Sequence, residues 1–232
     1  SCQPRKVPSR HSLTWTCYAT GMSRFMAAIY DRVMGQVEAA GLHEWRRDLL
    51  SCSSGCVLEL GSGTGVNLGL YPNAVTRVIY TEPDQNMRRR LAAKLVHRPD
   101  ERANIESCSA ECLPFEDETF DCVVSTLVLC SVADITASLA EAFRVLRAGG
   151  RLIFIEHVCA HDNPQRLQWQ RRIEPFWKYL ADGCHLTRDT ARAIEEAGFS
   201  MKEITTASMR KAPTFVRPTI RGFAVKPPCT PE

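Results

Sequence analysis

Three glycines occur at alternate positions in the segment Glu59-Leu60-Gly61-Ser62-Gly63-Thr64-Gly65, which follows the apolar residues 56–58. Glycine lets a chain turn tightly and approach a ligand closely, because it has no Cβ atom. Backbone N–H groups exposed in such a turn can face an anionic or polar ligand. We interpret the segment as part of a ligand site, although a tight turn after a strand would have the same composition without any ligand.

The spacing of the glycines distinguishes two classes of cofactor. A dinucleotide fingerprint requires its third glycine at position 66, where this chain has Val66. The spacing Gly-x-Gly-x-Gly, preceded by Glu59, is instead the usual pattern of a site for S-adenosylmethionine (SAM). We therefore expect SAM as the cofactor and not a nicotinamide dinucleotide.

Two further segments have the chemistry that an adenosine requires. Glu82 follows the apolar run 77–80 and lies 21 residues after Gly61, where a carboxylate can accept hydrogen bonds from both ribose hydroxyls. The segment 109–115, Ser-Ala-Glu-Cys-Leu-Pro-Phe, combines small residues with an apolar flank suited to an adenine ring. An acid at the position of Glu82 occurs in both dinucleotide and SAM enzymes, so it does not distinguish them. The order of these motifs, followed by the run 144–152, is that of a methyltransferase.

The elements that must position these residues alternate between strand and helix, which predicts a parallel sheet with helices on both faces. Ligands of such sheets bind at the carboxyl ends of the strands, where all of these motifs lie. We expect Gly149 and Gly150 to end the helix 134–146, and Thr187 to cap the helix that Gly198 ends. Strands are predicted at 56–60, 77–80, 104–107, 120–126, 151–156, 202–205 and 220–225, and helices at 23–50, 84–97, 134–146, 164–180 and 187–198.

The length of 232 residues favours one domain with some elaboration. We predict an α/β fold with a single doubly wound, mostly parallel seven-stranded sheet, an N-terminal helical extension and an antiparallel C-terminal strand. Residues 1–50 form an arm and helix covering the cofactor site, and 51–232 form the SAM-binding domain with an acceptor-site insert at about 160–190. The net charge of +3 and the short basic runs 88–90 and 171–172 argue against a nucleic-acid partner.

The eleven cysteines are scattered along the chain, several of them in apolar runs, which is typical of reduced, buried thiols. The pairs Cys52/Cys56 and Cys108/Cys112 have three residues between their members, and no histidine pair follows either. This spacing does not fit a zinc site, so we expect no metal.

Together these motifs resemble the class I SAM-dependent methyltransferase superfamily over about residues 25–158. Beyond about residue 20, the chain is also similar to the methyltransferase-like 7 family, whose members are thiol S-methyltransferases of the endoplasmic reticulum and lipid droplets. The Asp182-Gly183-Cys184 and Leu186-Thr187-Arg188 pieces are the most specific part of this resemblance. The further segments that carry it are 126–132, 156–158, 169–177 and 216–226.

The resemblance implies methyl transfer to the sulfur of a small lipophilic thiol. The alternative within the superfamily is C- or O-methylation of a quinone-like or lipid acceptor. A membrane-surface protein without activity is a further alternative, motivated by the aromatic segment 169–180, while Val66 argues against an oxidoreductase.

On the acceptor side we predict His157, Asp182 and Cys184 as catalytic residues. His157 follows the fifth strand and can deprotonate or orient a thiol, whereas Asp182 and Cys184 are implied mainly by the resemblance. The alternatives are a packed histidine, an Asx turn with Gly183 and a packed thiol. The predicted cofactor-binding residues are Tyr30, Glu59, Gly61, Ser62, Gly63, Thr64, Gly65, Glu82, Pro83, Met87, Ala110, Glu111, Thr126 and Leu127.

The expected partner is a small lipophilic thiol, and the expected location follows from the same resemblance. Family members carry an apolar N-terminal membrane segment, and no run in this sequence reaches the roughly 18 apolar residues that a span requires. We expect attachment to the surface of the endoplasmic reticulum or of lipid droplets, or a cytosolic protein if an anchor is truly absent. Trp169, Phe176 and Trp177 are candidates for an acceptor pocket or a membrane-facing surface.

Overall fold

A computed structural model describes residues 34–181 and 183–228 of the chain. Its sheet has seven strands in the order β3-β2-β1-β4-β5-β7-β6. Strands β1 to β5 are mutually parallel, and β7 runs antiparallel to both β5 and β6, which confirms the predicted mostly parallel sheet with its antiparallel C-terminal strand. The strands are β1 Gly55–Leu60, β2 Val75–Thr81, β3 Ala103–Glu106, β4 Phe120–Thr126, β5 Leu146–His157, β6 Ser200–Ser208 and β7 Pro218–Val225.

A helical segment precedes the sheet, and further helices connect its strands. The π-helical turn Glu38–Leu42, in which Gly41 has a φ of 129°, leads into α1. Helices α2 to α5 each begin at an Asp or Asn whose side chain accepts a hydrogen bond from the backbone N–H three residues later. The helices are α1 His43–Leu50, α2 Gln85–His97, α3 Ile135–Val145, α4 Pro164–Leu180 and α5 Thr190–Glu196.

Two predicted helix limits are wrong. Helix α3 ends at Val145, and Gly149 and Gly150 lie inside β5, where Gly149 donates to the carbonyl of Lys226 and Gly150 accepts from its N–H. A Cβ atom on Gly150 would come within 2.8 Å of the Arg147 carbonyl, so this close backbone approach requires glycine.

The second wrong limit is the start of α5. Asp189 caps this helix by accepting the N–H of Arg192. Thr187 instead donates its backbone N–H and its hydroxyl to the carboxylate of Glu174 on α4. A carboxylate on a neighbouring helix thus competes with the local cap for the threonine, and the sequence pattern does not show that competition.

Buried apolar side chains cover both faces of the central strands, as expected for a parallel sheet between helices. On one face, α3 packs through Leu139 and Ala142 in a cluster that includes Leu58 and Phe154. On the other face, Leu91 of α2 joins a cluster built on alternate residues of the same strands. The loops at the carboxyl ends of β1, β4 and β5 are therefore held on a rigid support. Within 34–181 and 183–228, no helix combines the length and hydrophobicity needed to cross a bilayer.

Candidate active site

The glycine turn after β1 has three residues in the left-handed region of backbone conformation. Gly61, Gly63 and Gly65 have φ values of 52°, 55° and 78°. A Cβ atom on Gly61 would lie 2.7 Å from a methyl of Val128, and one on Gly65 would lie 2.6 Å from Leu91. A Cβ atom on Gly63 would approach only the sulfur of Met87, at 3.9 Å. Two of the glycines are thus required by packing, while Gly63 faces the open edge of the sheet.

The carboxylate of Glu82 is fixed beside this turn. Its Oε2 accepts the N–H of Gly63 and its Oε1 accepts the N–H of Asp84, both at 2.8 Å. The residue is only 7% exposed, and burial raises the pKa of its carboxyl group. Because each carboxylate oxygen can accept two hydrogen bonds, each still has one acceptor position for a hydroxyl of a bound ligand.

Other predicted cofactor residues lie around the same edge. Ser62, Thr64 and Ala110 are buried, and the sulfur of Met87 lies beside Gly63. Leu127, directly after β4, has a φ of 61°. Ser62 and Thr64 belong to the turn itself and Met87 lies beside it, and a cofactor-binding role for these residues stays a prediction.

Several predicted cofactor residues already form hydrogen bonds within the protein. The carboxylate of Glu111 accepts the N–H of Ala133 at 2.9 Å, and the Pro83 carbonyl accepts from Arg88. Glu59 is buried and accepts the hydroxyl proton of Tyr71. These interactions shape the loops around the site. Tyr30 lies outside the described residues.

A second buried carboxylate, Glu156 at the end of β5, organises the loop after β4. It accepts the hydroxyl of Ser125 at 2.7 Å and the backbone N–H groups of Val128, Leu129 and Cys130 at 3.1 to 3.3 Å. The same loop contacts the glycine turn, because Val128 packs where a Gly61 side chain would lie. The loops after β1 and β4 therefore form one connected surface at the carboxyl edge.

His157 and Cys184, both predicted as catalytic, are brought together here. The Nε2 atom of His157 lies 2.6 Å from Sγ of Cys184, and the indole N–H of Trp177 donates to the same sulfur at 3.2 Å. Hydrogen bonds from Cys130, His157 and Trp177 outweigh burial and lower the pKa of Cys184 to about 4. The same interaction raises the pKa of the buried Cys130 thiol well above its ordinary value. Asp182 lies outside the described residues.

Residues 58–154 match the family model described as "Methyltransferase domain", which spans the glycine turn, Glu82 and most of β5. Thiol S-methyltransferase TMT1B of Rattus norvegicus is 41% identical over 177 residues, covering 73% of this chain and 70% of that protein. Thiol S-methyltransferase TMT1A of Homo sapiens is 38% identical over 173 residues, with the same coverage. The chain belongs to the thiol S-methyltransferase family of class I SAM-dependent methyltransferases.

The fold of this methyltransferase agrees with a solved structure of geranyl diphosphate methyltransferase in complex with SAM. The TM-score is 0.65 at 14% identity, covering 89% of this chain and 92% of the other. The chain is a SAM-dependent methyltransferase that acts on a small-molecule acceptor. Its residues fit the cofactor, because Glu82 has acceptor positions for the ribose hydroxyls and Gly63 leaves the edge of the sheet unobstructed.

The structure contains a buried polar network around Arg46 that we did not predict from the sequence. The guanidinium of Arg46, which is 2% exposed, donates to Glu38 at 2.9 Å, to Asn67 at 3.2 Å and to the hydroxyl of Thr126 at 2.6 Å. Thr126 also accepts from Asn67 at 3.1 Å. Nothing in the local pattern separates Arg46 from its exposed neighbour Arg47, so only the tertiary structure reveals this link between α1 and β4.

Burial beneath the glycine turn changes the acidity of Glu59. Removal from water raises its pKa to about 7, although the hydroxyl of Tyr71 and the charge of Arg46 act in the opposite direction. The raised pKa means that Glu59 changes its charge near neutral pH.

Proposed function

We propose that this methyltransferase transfers the methyl group of SAM to the sulfur of a small lipophilic thiol. The observation that carries the proposal is the group of donors around one sulfur atom at the carboxyl edge of the sheet. His157 and Trp177 both lie within hydrogen-bonding distance of Sγ of Cys184. An edge that stabilises a thiolate of its own offers the chemistry that a thiol acceptor needs. The names of the 41% and 38% identical relatives support the same acceptor class.

The reaction requires little catalytic chemistry from the protein itself. When bound, SAM supplies an electrophilic methyl group on a sulfonium. A thiol has a pKa near 8.5, so a fraction of it is already thiolate at neutral pH, and the thiolate is the nucleophile. The chain must align the reacting atoms and exclude water.

Residues at the ends of neighbouring strands can bind the cofactor and position the acceptor. Glu82 and the turn 61–65 would hold the cofactor, and His157, at the end of β5, can take up or orient the acceptor proton. The half-buried guanidinium of Arg188 donates to the Leu129 carbonyl at 2.6 Å and brings positive charge near Cys184. The contact between Gly61 and Val128 joins the cofactor side to the acceptor side.

The test is incubation of the purified chain with isotopically labelled SAM and a panel of alkyl thiols, phenols and quinols, followed by mass analysis of the products. We expect labelled methyl on sulfur, and loss of that product in Glu82→Ala. Glu101→Ala, at the opposite edge of the sheet, is the matched control and should retain activity. Methylation of carbon or oxygen, with every thiol unreacted, would replace the proposal by the quinone-like or lipid acceptor. SAM binding without any product would refute both.

We further propose that α4 contacts the surface of the endoplasmic reticulum or of lipid droplets. Trp169, Phe176 and Tyr179 are 59%, 66% and 87% exposed and recur along one face of this helix, with Arg172 between them. Aromatic rings on an amphipathic helix suit the boundary between water and lipid. The helix also carries four basic residues against the single acid Glu174, which complements anionic lipid headgroups.

Flotation with phosphatidylcholine vesicles, with and without phosphatidylserine, tests this surface. We expect the protein to float with the anionic vesicles, and the double variant Trp169→Gln/Phe176→Gln to stay in the dense fractions. Val96→Gln, which removes another exposed apolar side chain on α2, should float like the wild type. Equal flotation of the double variant and the wild type would exclude α4 as the contact surface.

A further inference from the structure

Three buried side chains with metal-ligating chemistry meet at the carboxyl edge. Cys130 lies in the loop after β4, His157 is the last residue of β5, and Cys184 follows α4. One ligand atom from each of the three lies within 4.8 Å of the other two, and across 34–181 and 183–228 no other group of three offers such a set. We propose that these residues bind a thiophilic divalent cation of the Zn²⁺ class.

The donor set and its dimensions fit such an ion. Zinc sites use Cys sulfur at about 2.3 Å and His nitrogen at about 2.0–2.1 Å, which places tetrahedral ligands about 3.5–3.8 Å apart. The trio therefore needs only local adjustment, in which His157 Nε2 and Cys184 Sγ separate by about 1 Å from their contact at 2.6 Å.

The backbone already fixes the three positions relative to one another. The N–H of Cys130 binds the Glu156 carboxylate, and its carbonyl accepts the N–H of His185 at 2.8 Å. The loop that carries Cys130 is thus tied to β5 on one side and to the residue after Cys184 on the other. Ligands held in this way lose little freedom when an ion binds.

The ring of His157 turns Nε2 toward Cys184, so its other nitrogen, Nδ1, can carry the ring proton while Nε2 binds an ion. Its Nδ1 atom is buried and has no hydrogen-bond partner among the residues that the structure describes. Buried polar atoms are normally paired, and an exception calls for a bound water or ion. A polar group outside the described residues therefore belongs beside Nδ1, where it would hold the ring with Nε2 facing the two sulfurs.

The charges around the trio favour a dication. With both thiols ionised, Cys130, Cys184 and the adjacent Glu156 carry three negative charges, against the single positive charge of Arg188. The net of two negative charges is costly in a buried site. A divalent ion neutralises this charge when both cysteines bind it as thiolates.

Trp177 supplies the outer hydrogen bond that metal-bound cysteines commonly receive. Its indole N–H donates to Sγ of Cys184 at 3.2 Å, and its ring packs edge-on against Phe215. Loss of such an outer partner typically weakens metal affinity about 10–100-fold. Trp177→Phe keeps an aromatic ring and removes this donor, so it separates the hydrogen bond from the packing.

Three protein ligands leave a fourth coordination position, as in catalytic zinc sites. An acceptor thiol would bind there through sulfur and release its proton to solvent, so the ion would replace His157 in activating the thiol. This second part of the proposal rests on the proposed thiol acceptor, whereas the metal site itself does not.

The experiment measures metal binding without SAM. The full chain, purified under reducing conditions, is loaded with Zn²⁺ in the presence of a competing chelator, and bound metal is counted by mass spectrometry. We expect about one ion per chain, loss of that ion in Cys130→Ser and in Cys184→Ser, and affinity about 10–100-fold weaker in Trp177→Phe. Cys159→Ser is the matched control, because Cys159 contacts His161 at 2.9 Å in a separate pair. It should keep the ion.

Substitution with Co²⁺ gives a readout that needs no variant. We expect the absorption of a tetrahedral ion with thiolate ligands, and a change in that absorption when an alkyl thiol is added. Wild-type protein that binds no ion, or Cys130→Ser and Cys184→Ser proteins that keep it, would overturn the metal site. A Co²⁺ spectrum unaffected by thiols would overturn the acceptor position alone, and thiol methylation by metal-free enzyme would do the same. Failure of thiol methylation with metal still bound would contradict the proposed function and the acceptor position that rests on it, and would leave the metal site standing.

Discussion

The backbone N–H of Gly63 donates a hydrogen bond of 2.8 Å to Oε2 of Glu82. This bond joins the loop after β1 to the loop after β2, and it orients the carboxylate together with the second bond from Asp84. A carboxylate held in its binding orientation loses little freedom when a ligand arrives, which favours affinity. We therefore expect the glycine turn and the acid to act as one unit in binding the cofactor.

Glu82→Gln should weaken SAM binding by about 10- to 150-fold. The amide keeps the size of the side chain but replaces one acceptor oxygen by a donor, and hydrogen bonds to charged groups contribute about 1.5–3 kcal/mol. Titration calorimetry with SAM measures the change, with Glu101→Gln as the control. Affinity equal to that of the wild type would show that Glu82 does not hold the ribose.

Gly61→Ala and Gly63→Ala should separate packing from cofactor binding. Both place alanine in the left-handed region, at a cost of about 1–2 kcal/mol. Only the Gly61 substitution also meets Val128, at 2.7 Å, so it should lower the melting temperature more. The Gly63 variant should be more stable than the Gly61 variant. It should still lose SAM affinity, because its methyl group points to the open edge, where the cofactor is expected to bind. Equal thermal destabilisation in both variants would contradict this distinction.

Ionisation of Glu59 should lower the free energy of unfolding as the pH rises toward neutrality. Its pKa is about 7 in the folded protein against an ordinary 4.5, so its full contribution is present below about 4.5 and is lost as pH rises through about 7. Urea unfolding of the wild type and of Glu59→Gln, at about pH 5 and about pH 8, isolates this contribution. The variant should gain up to about 3 kcal/mol relative to the wild type over that range. A difference that is independent of pH would contradict the raised pKa.

Glu156→Gln should destabilise the loop after β4. The carboxylate accepts one hydroxyl and three backbone N–H groups, and an amide in its place turns a donor toward some of them. Leaving a buried donor unpaired costs about 1–3 kcal/mol. Chemical denaturation measures the loss, and Ser125→Ala, which removes only one of the four donors, should cost less. An unchanged midpoint for Glu156→Gln would show that the loop does not depend on this acid.

The limits of sequence prediction are clear at the boundary between α3 and β5. The residues 134–146 have a helical pattern, and the glycine pair after them is a usual helix stop, yet β5 begins at Leu146. Pairing of Leu146 with Phe120 of β4, and of the two glycines with the distant Lys226, decides the boundary. Local propensity does not show where these distant partners lie.

The sequence by itself determined the fold class and the cofactor, and it predicted the edge of the sheet at which the cofactor binds. This was possible because the glycine turn, Glu82 and the alternation of strands and helices are local patterns, and the parallel topology brings strand ends to one edge. The tertiary structure decided which side chains share the acceptor side. Cys130, His157 and Cys184 are separated by 27 residues at each step and form no spacing motif. Only the packing of the loop after β4 and the segment after α4 against the end of β5 brings their ligand atoms within 4.8 Å.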